Sequence, residues 1–220
     1  MDHLPPEDAR RNLADLVRIN QNFGGHSVIR EALARVVDTN VHFRLLDIGA
    51  ASGDTARLIR RLYSRASVTS LDCNFTNLAA APQPKLIADA FALPFGEDSF
   101  DYVFCSLFLH HFTDEKVTLL LRTFHGIARQ AVVVCDLERH ILPYCFLPAT
   151  KLLFQWGDVA VHDGKISVRA AFRAEELRQL SRLAGIENAE VRVHRPAFRL
   201  SLIARKSQMR TGAYSTALPA

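Results

Sequence analysis

The sequence has no cysteine pairs, long apolar runs or leader-like segment, and each absence excludes a class of protein. Its 220 residues include 4 cysteines but no CxxC pair, so we expect no metal site. Because the cysteines lie mostly in apolar runs, we expect free thiols in a reducing, cytoplasmic environment. No apolar run reaches the ~20 residues of a membrane span, and residues 1–20 lack the apolar core of a signal peptide.

The remaining composition is that of an ordinary globular protein. Hydrophobic residues make up 49% of the sequence and charged residues 23%, with 10 glycines and 9 prolines, which excludes disordered, collagen-like and coiled-coil classes. A chain of this length fits one generous domain. We expect that domain over residues 1–206, followed by a disordered tail over residues 207–220.

The net charge of +4 is concentrated near the C-terminus. Residues 165–210 contain 11 Lys or Arg against 4 Glu, a local charge of +7, whereas the other residues carry 16 basic against 19 acidic side chains, or −3. A basic region favours nucleic acid as a partner. However, Arg178 and Arg182 share a predicted helix with Glu175 and Glu176, which is typical of a solvated helix face. We therefore expect no nucleic-acid partner.

Short buried strands alternate with helical segments between residues 43 and 136. Near-continuous apolar strands of this kind predict a parallel sheet that is covered by helices on both faces. The five strand candidates are 43–48, 67–71, 85–88, 100–106 and 131–135.

The segments on either side of this core are predicted to be helical, apart from a final strand pair. Residues 1–40 form a helical lid with a hinge at Gly24-Gly25, and residues 141–165 form a cap of irregular helices with a surface turn at Asp163-Gly164. Residues 166–206 hold the last helix and two strands that a short Arg195-Pro196 connection makes antiparallel.

A glycine loop, Asp47-Ile48-Gly49-Ala50-Ala51-Ser52-Gly53-Asp54, joins the first strand to its helix. Glycines in such a loop let a ligand approach the backbone, and the helix N-terminus offers free N–H groups, although a plain strand-to-helix turn has the same features. Asp72 ends the second strand, where a carboxylate accepts hydrogen bonds from the ribose of an adenosine cofactor or caps the helix that follows. NAD and S-adenosylmethionine share this feature.

The complete pattern resembles class I S-adenosylmethionine-dependent methyltransferases. The spacing D-x-G-x-x-x-G at Asp47 is similar to their motif I, and residues 87–103 (IADAFALPFGEDSFDYV) are similar to a second stretch of the family. Residues 108–112 (FLHHF) are typical of its ubiquinone/menaquinone-biosynthesis-like branch, methyltransferase type 11. The resemblance implies an α/β, Rossmann-like fold with a seven-stranded, mostly parallel sheet, an antiparallel last strand, helices on both faces and a small helical cap.

The resemblance also implies which residues bind S-adenosylmethionine. The motif I residues lie beside the methionine portion, Asp72 holds the ribose, and Asp89 bonds the adenine amino group. Ala51 departs from the family pattern, because it replaces the middle glycine of the motif. The cofactor-binding residues implied are Asp47, Gly49, Ala50, Ala51, Gly53, Asp72, Cys73, Asn74, Asp89, Ala90, Phe91 and Ser106.

Two adjacent histidines after the fourth strand are the candidates for a catalytic base. His110 and His111 follow a strand whose carboxyl end faces the cofactor methyl in this family, and imidazole accepts a proton near neutral pH. We prefer His111, although packing alone explains one or both rings.

Candidates for acceptor binding lie in the lid, in the cap and after the fifth strand. Each has a structural alternative: a helix turn for His26, a solvated loop for Asp136, Glu138 and His140, and core packing for the aromatic residues. The residues that we predict to contact the acceptor are His26, Asp136, Tyr144, Trp156 and His162, with Glu138 and His140 as second-tier candidates.

We therefore predict an S-adenosylmethionine-dependent enzyme that methylates oxygen or carbon on a small apolar or aromatic acceptor, such as a phenol, quinol or polyketide-derived ring. A nucleic-acid methyltransferase and a non-catalytic binding module with the same fold are the alternatives. The sequence lacks the N/D-P-P-Y/F motif that is expected for methylation of amino groups on nucleic-acid bases, which argues against the first of these alternatives. The sequence leaves a homodimer open.

Overall fold

The computed structural model describes residues 6–206, with side chains from Arg11 onward, so the tail predicted at 207–220 lies outside the described residues. Its seven strands form one sheet. They are β1 Phe43–Ile48, β2 Ala66–Asp72, β3 Lys85–Ile87, β4 Phe100–Ser106, β5 Ala128–Leu137, β6 Glu190–His194 and β7 Arg199–Arg205. The helices are α1 Pro6–Asn22, α2 Gly25–Ala34, α3 Asp54–Leu62, α4 Phe75–Leu78, α5 Asp114–Ile127, α6 Ile141–Phe154, α7 Asp158–Ala170 and α8 Ala174–Leu183, with a 3₁₀ turn at Leu109–His111.

The sheet confirms the predicted mostly parallel arrangement. Its strand order is β3-β2-β1-β4-β5-β7-β6, and the pairs among the first five strands are all parallel. The strand β7 runs antiparallel to both β5 and β6. The last residues of β1, β2, β4 and β5 therefore meet the first residues of β7 at one edge of the sheet, which we call the carboxyl edge.

Helices cover both faces of the sheet, as predicted, and each face has its own core. On one face α5 and α8 pack against apolar side chains of β1, β4, β5 and β7. On the other face α2 and α3 cover the alternate residues of the same strands. Phe124 and Phe104, one in each core, are fully buried, and burial of a side chain of this size contributes about 1.5–3 kcal/mol.

The helix α5 shows how local sequence fixes these elements. It begins after Thr113 with Asp114 and Glu115 in its first turn, where negative charge stabilises the helix dipole. Its buried residues recur at helical spacing, so one side packs on the sheet. They are Val117, Leu120, Leu121, Phe124 and Ile127.

The cap differs from the prediction in one respect. Asp163 and Gly164, expected in a surface turn, lie inside α7, which packs against α6. The prediction was wrong because it took glycine as a sign of a turn. A Cβ at Gly164 would overlap the side chain of Leu147, so the close helix crossing explains the glycine. Within residues 6–206, none of the helices combines the length and apolar character needed to cross a membrane.

Candidate functional site

The loop after β1 has the strained backbone that its glycines permit. Gly49 and Gly53 have φ angles of 69° and 75°, in the left-handed region where side chains are disfavoured. Ala51 adopts φ 43° despite its methyl group, so this departure from the family motif keeps the loop conformation at a small cost in strain. The N–H of Gly53 donates to the carbonyl of Ala50 at 2.8 Å, which closes the loop ahead of α3.

The space around the two glycines is too small for a side chain. A Cβ at Gly49 would overlap the ring of Phe108, and one at Gly53 would overlap Ala81 and Pro82. The backbone thus forms a narrow cradle at the N-terminus of α3, where free N–H groups favour a polar or negatively charged group.

Asp47 is a buried carboxyl group at the base of this cradle. Its side chain is almost completely enclosed, and its Oδ2 atom has no hydrogen-bond partner among the described residues. Burial, together with the charges of Asp72 and Asp54, raises the pKa of Asp47 to about 8. A buried carboxyl group without a donor is well suited to receive a cationic or N–H-bearing group of a ligand.

Asp72 connects the ends of β1 and β2. Its Oδ2 accepts a hydrogen bond from the N–H of Ala51 at 2.9 Å, and its Oδ1 accepts one from the N–H of Asn74 at 2.9 Å. Asn74 in turn caps α4 by accepting from the N–H of Asn77. The two alternatives considered for Asp72 are therefore compatible, because a carboxylate that orders both loops keeps further lone pairs for a ribose.

The segment after β3 supplies the predicted adenine side. Asp89 is exposed and accepts a hydrogen bond from the N–H of Phe91 at 2.9 Å, while Ala90 is buried. The ring of Phe91 is 36% exposed and packs edge-on against Phe112, with ring centroids 5.3 Å apart. The thiol-bearing Cys73 is exposed between these elements and Asp72.

A buried histidine–aspartate pair lies at the ends of β4 and β5. Nδ1 of His110 lies 2.6 Å from Oδ1 of Asp136, and both side chains are enclosed. Oδ2 of Asp136 also accepts from the backbone N–H groups of Leu109 and His110, and Oδ1 accepts from that of Leu137. Burial opposes the charge on Asp136, but the charge and hydrogen bond of His110, with the backbone N–H groups, lower its pKa.

His111 lies beside this pair. The ring centroids of His110 and His111 are 4.2 Å apart, and the two ring planes are tilted by 41°. His111 still reaches solvent, yet it lies in a recess below the cap, where desolvation and then the charge of His110 lower its pKa from 6.5 to about 4. Asp163 of α7 opposes this shift. The ring is therefore neutral at physiological pH and able to accept a proton.

Asp54, which the sequence analysis did not single out, joins the N-terminal helices to the cradle. Its carboxylate bonds Nε2 of His26 at 2.7 Å and accepts from the amide of Gln21 at 2.9 Å, and it also interacts with Asn20. Burial opposes its ionisation, but these hydrogen bonds lower its pKa. The sequence signal that could have identified Asp54 is its position directly after Gly53, at the start of α3. His26, predicted as an acceptor contact, thus lies beside the cofactor loop.

The structure separates the other residues predicted to contact the acceptor. Trp156 is 3% exposed and packs with Phe23 and Phe154, so its ring belongs to the core of the cap. His162 lies exposed on α7, and Tyr144 is half-buried on α6 under the ammonium group of Lys165. As acceptor contacts these residues stay predictions.

Two second-tier candidates after β5 are engaged with the turn before β7. Glu138 forms an ion pair with Arg195. The ring of His140 lies 4.8 Å from that of Phe198, and its Nδ1 accepts from the N–H of Leu142 at the start of α6. Both side chains hold the cap onto the sheet, which leaves them less suited to contact an acceptor.

The cradle and its neighbours fit the cofactor that the sequence resemblance implies. The orphaned Oδ2 of Asp47 matches an ammonium group, and the glycines at positions 49 and 53 leave the backbone of the loop without side chains. Asp72 and the half-exposed Phe91 follow along the same edge, in the order expected for a ribose and a flat base. Ser106, at the end of β4, lies on the strand next to β1, at the methionine end of this row.

Comparison with known proteins identifies a methyltransferase domain and the fold. A family model described as "Methyltransferase domain" matches residues 46–135. The fold is similar to that of the plantazolicin methyltransferase BpumL solved with SAH, with a TM-score of 0.67 and 11% identity over 91% of each chain. It is also similar to magnesium protoporphyrin IX methyltransferase from Synechocystis with bound SAH, with a TM-score of 0.57 and 15% identity over 84% of each chain.

A third similar structure is larger than this chain. It is a protein from Nostoc punctiforme described as an O-methyltransferase, with a TM-score of 0.61 and 17% identity over 86% of this chain, which spans 59% of that protein's length. No curated protein matches the sequence. At these levels of identity the structural similarities establish the fold.

Proposed function

Because the chain is a class I S-adenosylmethionine-dependent methyltransferase, we propose that it methylates oxygen or carbon on a small apolar or aromatic acceptor. The acceptor lies at the carboxyl edge between the histidine pair and the cap formed by α1, α6 and α7. The observation that carries this proposal is the neutral His111 ring, whose centroid lies 4.2 Å from that of His110, the histidine bonded to Asp136.

The cofactor would be held by the residues that line the cradle. Asp47 and the loop from Gly49 to Gly53 would receive its methionine part, and Asp72 and Phe91 its ribose and adenine. When bound, S-adenosylmethionine supplies an electrophilic methyl group on sulfur, so the protein has mainly to position a nucleophile and to take up its proton.

The histidines would perform the second task. Asp136 accepts the Nδ1–H of His110 and fixes that ring, because its own position is set by three backbone N–H groups. His110 supports the ring of His111 at its side. With its lowered pKa, His111 stays neutral and takes the proton of a phenol, alcohol or activated carbon.

The cap favours a flat, apolar acceptor. An aromatic cluster joins the residue after α1 to α6 and to the turn after α6, with three ring centroids 4.8 to 6.0 Å from that of Phe23, and we infer that it faces the acceptor. Its members are Phe23, Phe146, Phe154 and Trp156. Side chains of this kind exclude water and stack with aromatic ligands.

The basic C-terminal region does not favour nucleic acid as the acceptor. Its arginines pair with acidic side chains on the surface: Arg178 and Arg182 with Glu175, and Arg192 and Arg205 with Glu190. Each of these two glutamates offsets one positive charge, so the ion pairs lower the charge that this surface presents to a phosphate backbone. None of the four cysteines forms a disulfide among the described residues, which is compatible with the cytoplasmic location that we propose.

Methyl transfer from labelled S-adenosylmethionine tests the proposal. The protein is incubated with a panel of phenols, catechols and reduced quinones, each with and without a carboxylate on the ring, and in parallel with single- and double-stranded oligonucleotides. We expect label in at least one small aromatic product, identified by mass spectrometry. Label in the oligonucleotides, or in no small molecule of the panel, would contradict the proposed acceptor class.

Calorimetry with S-adenosylhomocysteine tests the cofactor assignment separately. We expect Asp72→Ala to weaken binding about tenfold or more, since a hydrogen-bonded ribose contact is worth about 1.5–3 kcal/mol when it involves a charged group. Asp98→Ala, a change at an exposed turn, is the matched control. An unchanged affinity in Asp72→Ala would remove the ribose assignment.

A further inference from the structure

Arg199 is a buried cation at the carboxyl edge that neither the sequence analysis nor the proposed function uses. It is the first residue of β7, and because β7 runs antiparallel, this start of the strand lies beside Leu137 at the end of β5. Its side chain is 6% exposed. A guanidinium therefore lies inside the protein, one strand away from Asp136.

This guanidinium is incompletely paired. Its Nη1 atom is enclosed and has no hydrogen-bond partner, and within residues 6–206 the side chain forms no ion pair with a carboxylate. Burial lowers the pKa of Arg199 to about 10, so the group remains charged at neutral pH. A buried charge with unused N–H donors is costly, and it persists in proteins where a ligand or substrate completes it.

The neighbouring groups do not complete it. Asp136 attracts Arg199, but both of its oxygens are engaged by His110 and three backbone N–H groups. The Cys135 thiol also lies close, but burial raises its pKa far above neutral pH, so it carries no negative charge. Arg205, on the same strand, shows the contrast: its guanidinium donates to the carbonyl of Arg35 at 2.9 Å and pairs with Glu190.

We propose that Arg199 binds a carboxylate on the methyl acceptor, so that the acceptor is an aromatic or apolar acid and not a neutral ring. A planar guanidinium offers two parallel N–H donors, which match the two oxygens of a carboxylate. This inference rests on the proposed function for the location of the acceptor, but anion binding by Arg199 can be measured without turnover.

The sheet topology favours the acceptor over the cofactor as the source of the carboxylate. In the order β1-β4-β5-β7, Arg199 stands three strands from the cradle, or about 14 Å at ~4.8 Å per strand. The cofactor cradle occupies the β1 end of this edge, whereas the histidine pair and Arg199 occupy the β4, β5 and β7 end. A ligand that spans from His111 toward Arg199 along this edge would place its nucleophile at one end and its carboxylate at the other.

Benzoate and benzamide serve as matched probes, because they differ mainly in charge. Their binding to the full chain saturated with S-adenosylhomocysteine is measured by calorimetry and thermal shift. We expect benzoate to bind the wild-type protein at least about tenfold more tightly than benzamide, and Arg199→Met to remove this preference. Arg205→Met is the control and is expected to keep it.

The arms of the experiment separate the competing explanations. Equal binding of benzoate and benzamide to the wild-type protein overturns the proposal without any variant. A preference for benzoate that survives Arg199→Met also overturns the proposal. If the variant binds S-adenosylhomocysteine tenfold more weakly while its affinity for benzoate is unchanged, Arg199 belongs to the site of the cofactor carboxylate instead. If Arg199→Met does not fold, Arg199→Lys is used in its place, because it keeps the positive charge but lacks the two parallel N–H donors. We expect the preference of this variant for benzoate over benzamide to be several-fold smaller than that of the wild-type protein.

The outcome is independent of the methylation assay. Absence of methyl transfer to the phenol panel, with benzoate binding that depends on Arg199, removes the proposed acceptor class and keeps the anion site. Methyl transfer to a member of the panel, with benzoate binding that does not depend on Arg199, supports the proposed acceptor class and contradicts the anion site. Arg199→Met is further expected to melt at or above the wild-type temperature without ligand, since it removes an unpaired buried charge; a lower melting temperature with unchanged benzoate binding marks a structural role only.

Discussion

Nδ1 of His110 and Oδ1 of Asp136 lie 2.6 Å apart in the interior, at the ends of two adjacent parallel strands. The aspartate faces a convergent set of donors, because backbone N–H groups of Leu109, His110 and Leu137 also point at it. An acceptor-only group is required at this position, and an ionised carboxylate is the side chain that satisfies four donors.

Replacing this carboxylate by an amide is expected to be costly. In Asp136→Asn one N–H₂ group faces backbone donors, and we expect a loss of about 3–5 kcal/mol in the free energy of unfolding, measured with urea at pH 7. Because the pKa of Asp136 is lowered in the folded state, its stabilisation is complete above the unfolded value of 3.8 and is lost as the pH falls below it. Asp98→Asn at an exposed turn is the control, and an equal effect of both variants would contradict the assignment.

Asp47 is expected to give the opposite pH dependence. Since its pKa is raised to about 8, the folded cofactor-free protein retains a proton that the unfolded chain releases above pH 4. Stability then falls as the pH rises from about 4 to about 8, by up to about 1.4 kcal/mol per pH unit. Asp47→Asn does not titrate, so its urea unfolding curve should show a flatter pH dependence; the same slope in both proteins would be incompatible with a protonated Asp47.

His111→Ala is expected to lower kcat about a hundredfold while the affinity for S-adenosylhomocysteine stays within twofold. With a pKa of about 4, the wild-type base stays neutral down to that pH, so the acid limb of kcat should lie near pH 4 and not near 6.5. Stopped assays with the acceptor found in the panel measure both values. The exposed His42 provides the control variant, His42→Ala, and full activity in His111→Ala would remove the base.

Glycine at position 49 is expected to be required by both backbone and space. Gly49→Ala places a Cβ against Phe108 and forces a side chain into φ 69°, which we expect to cost about 1–3 kcal/mol and to abolish cofactor binding at millimolar concentration. Gly96→Ala meets nothing within 4 Å and should change stability by less than about 0.5 kcal/mol. Thermal unfolding and calorimetry of the two variants test this expectation. If Gly49→Ala keeps both its stability and its affinity for the cofactor, the loop has room for a side chain and the steric argument is wrong.

The cofactor half could be predicted from the sequence because its signals are local. An apolar run and a glycine loop fix β1 and the cradle in one continuous stretch, and the acidic end of the next strand fixes Asp72. Adjacent parallel strands then bring their ends to one edge, whatever the rest of the chain does.

The rest of the site depends on contacts between distant residues. Gly164 signalled a turn, but its role is to let α7 approach Leu147 of α6. Asp54 is partnered by His26 and Gln21, more than 25 positions earlier, and no local pattern marks that pairing. Arg199 lies in a strand whose sequence pattern does not distinguish it from the other arginines near the C-terminus. What distinguishes it is the burial of its side chain, which cannot be read from a single sequence.

The antiparallel strand β7 has a consequence for how the molecule is made. It lies between β5 and β6, so during synthesis β5 remains an edge strand, with unpaired backbone N–H and C=O groups, until residues 199–205 have left the ribosome. The cofactor cradle, which uses residues 47–53 and Asp72, can be complete much earlier. A nascent chain can therefore form its cofactor cradle and its His110–Asp136 pair first, whereas Arg199 joins them only when the final strand inserts, and truncation before Arg199 leaves β5 as an open edge of the sheet.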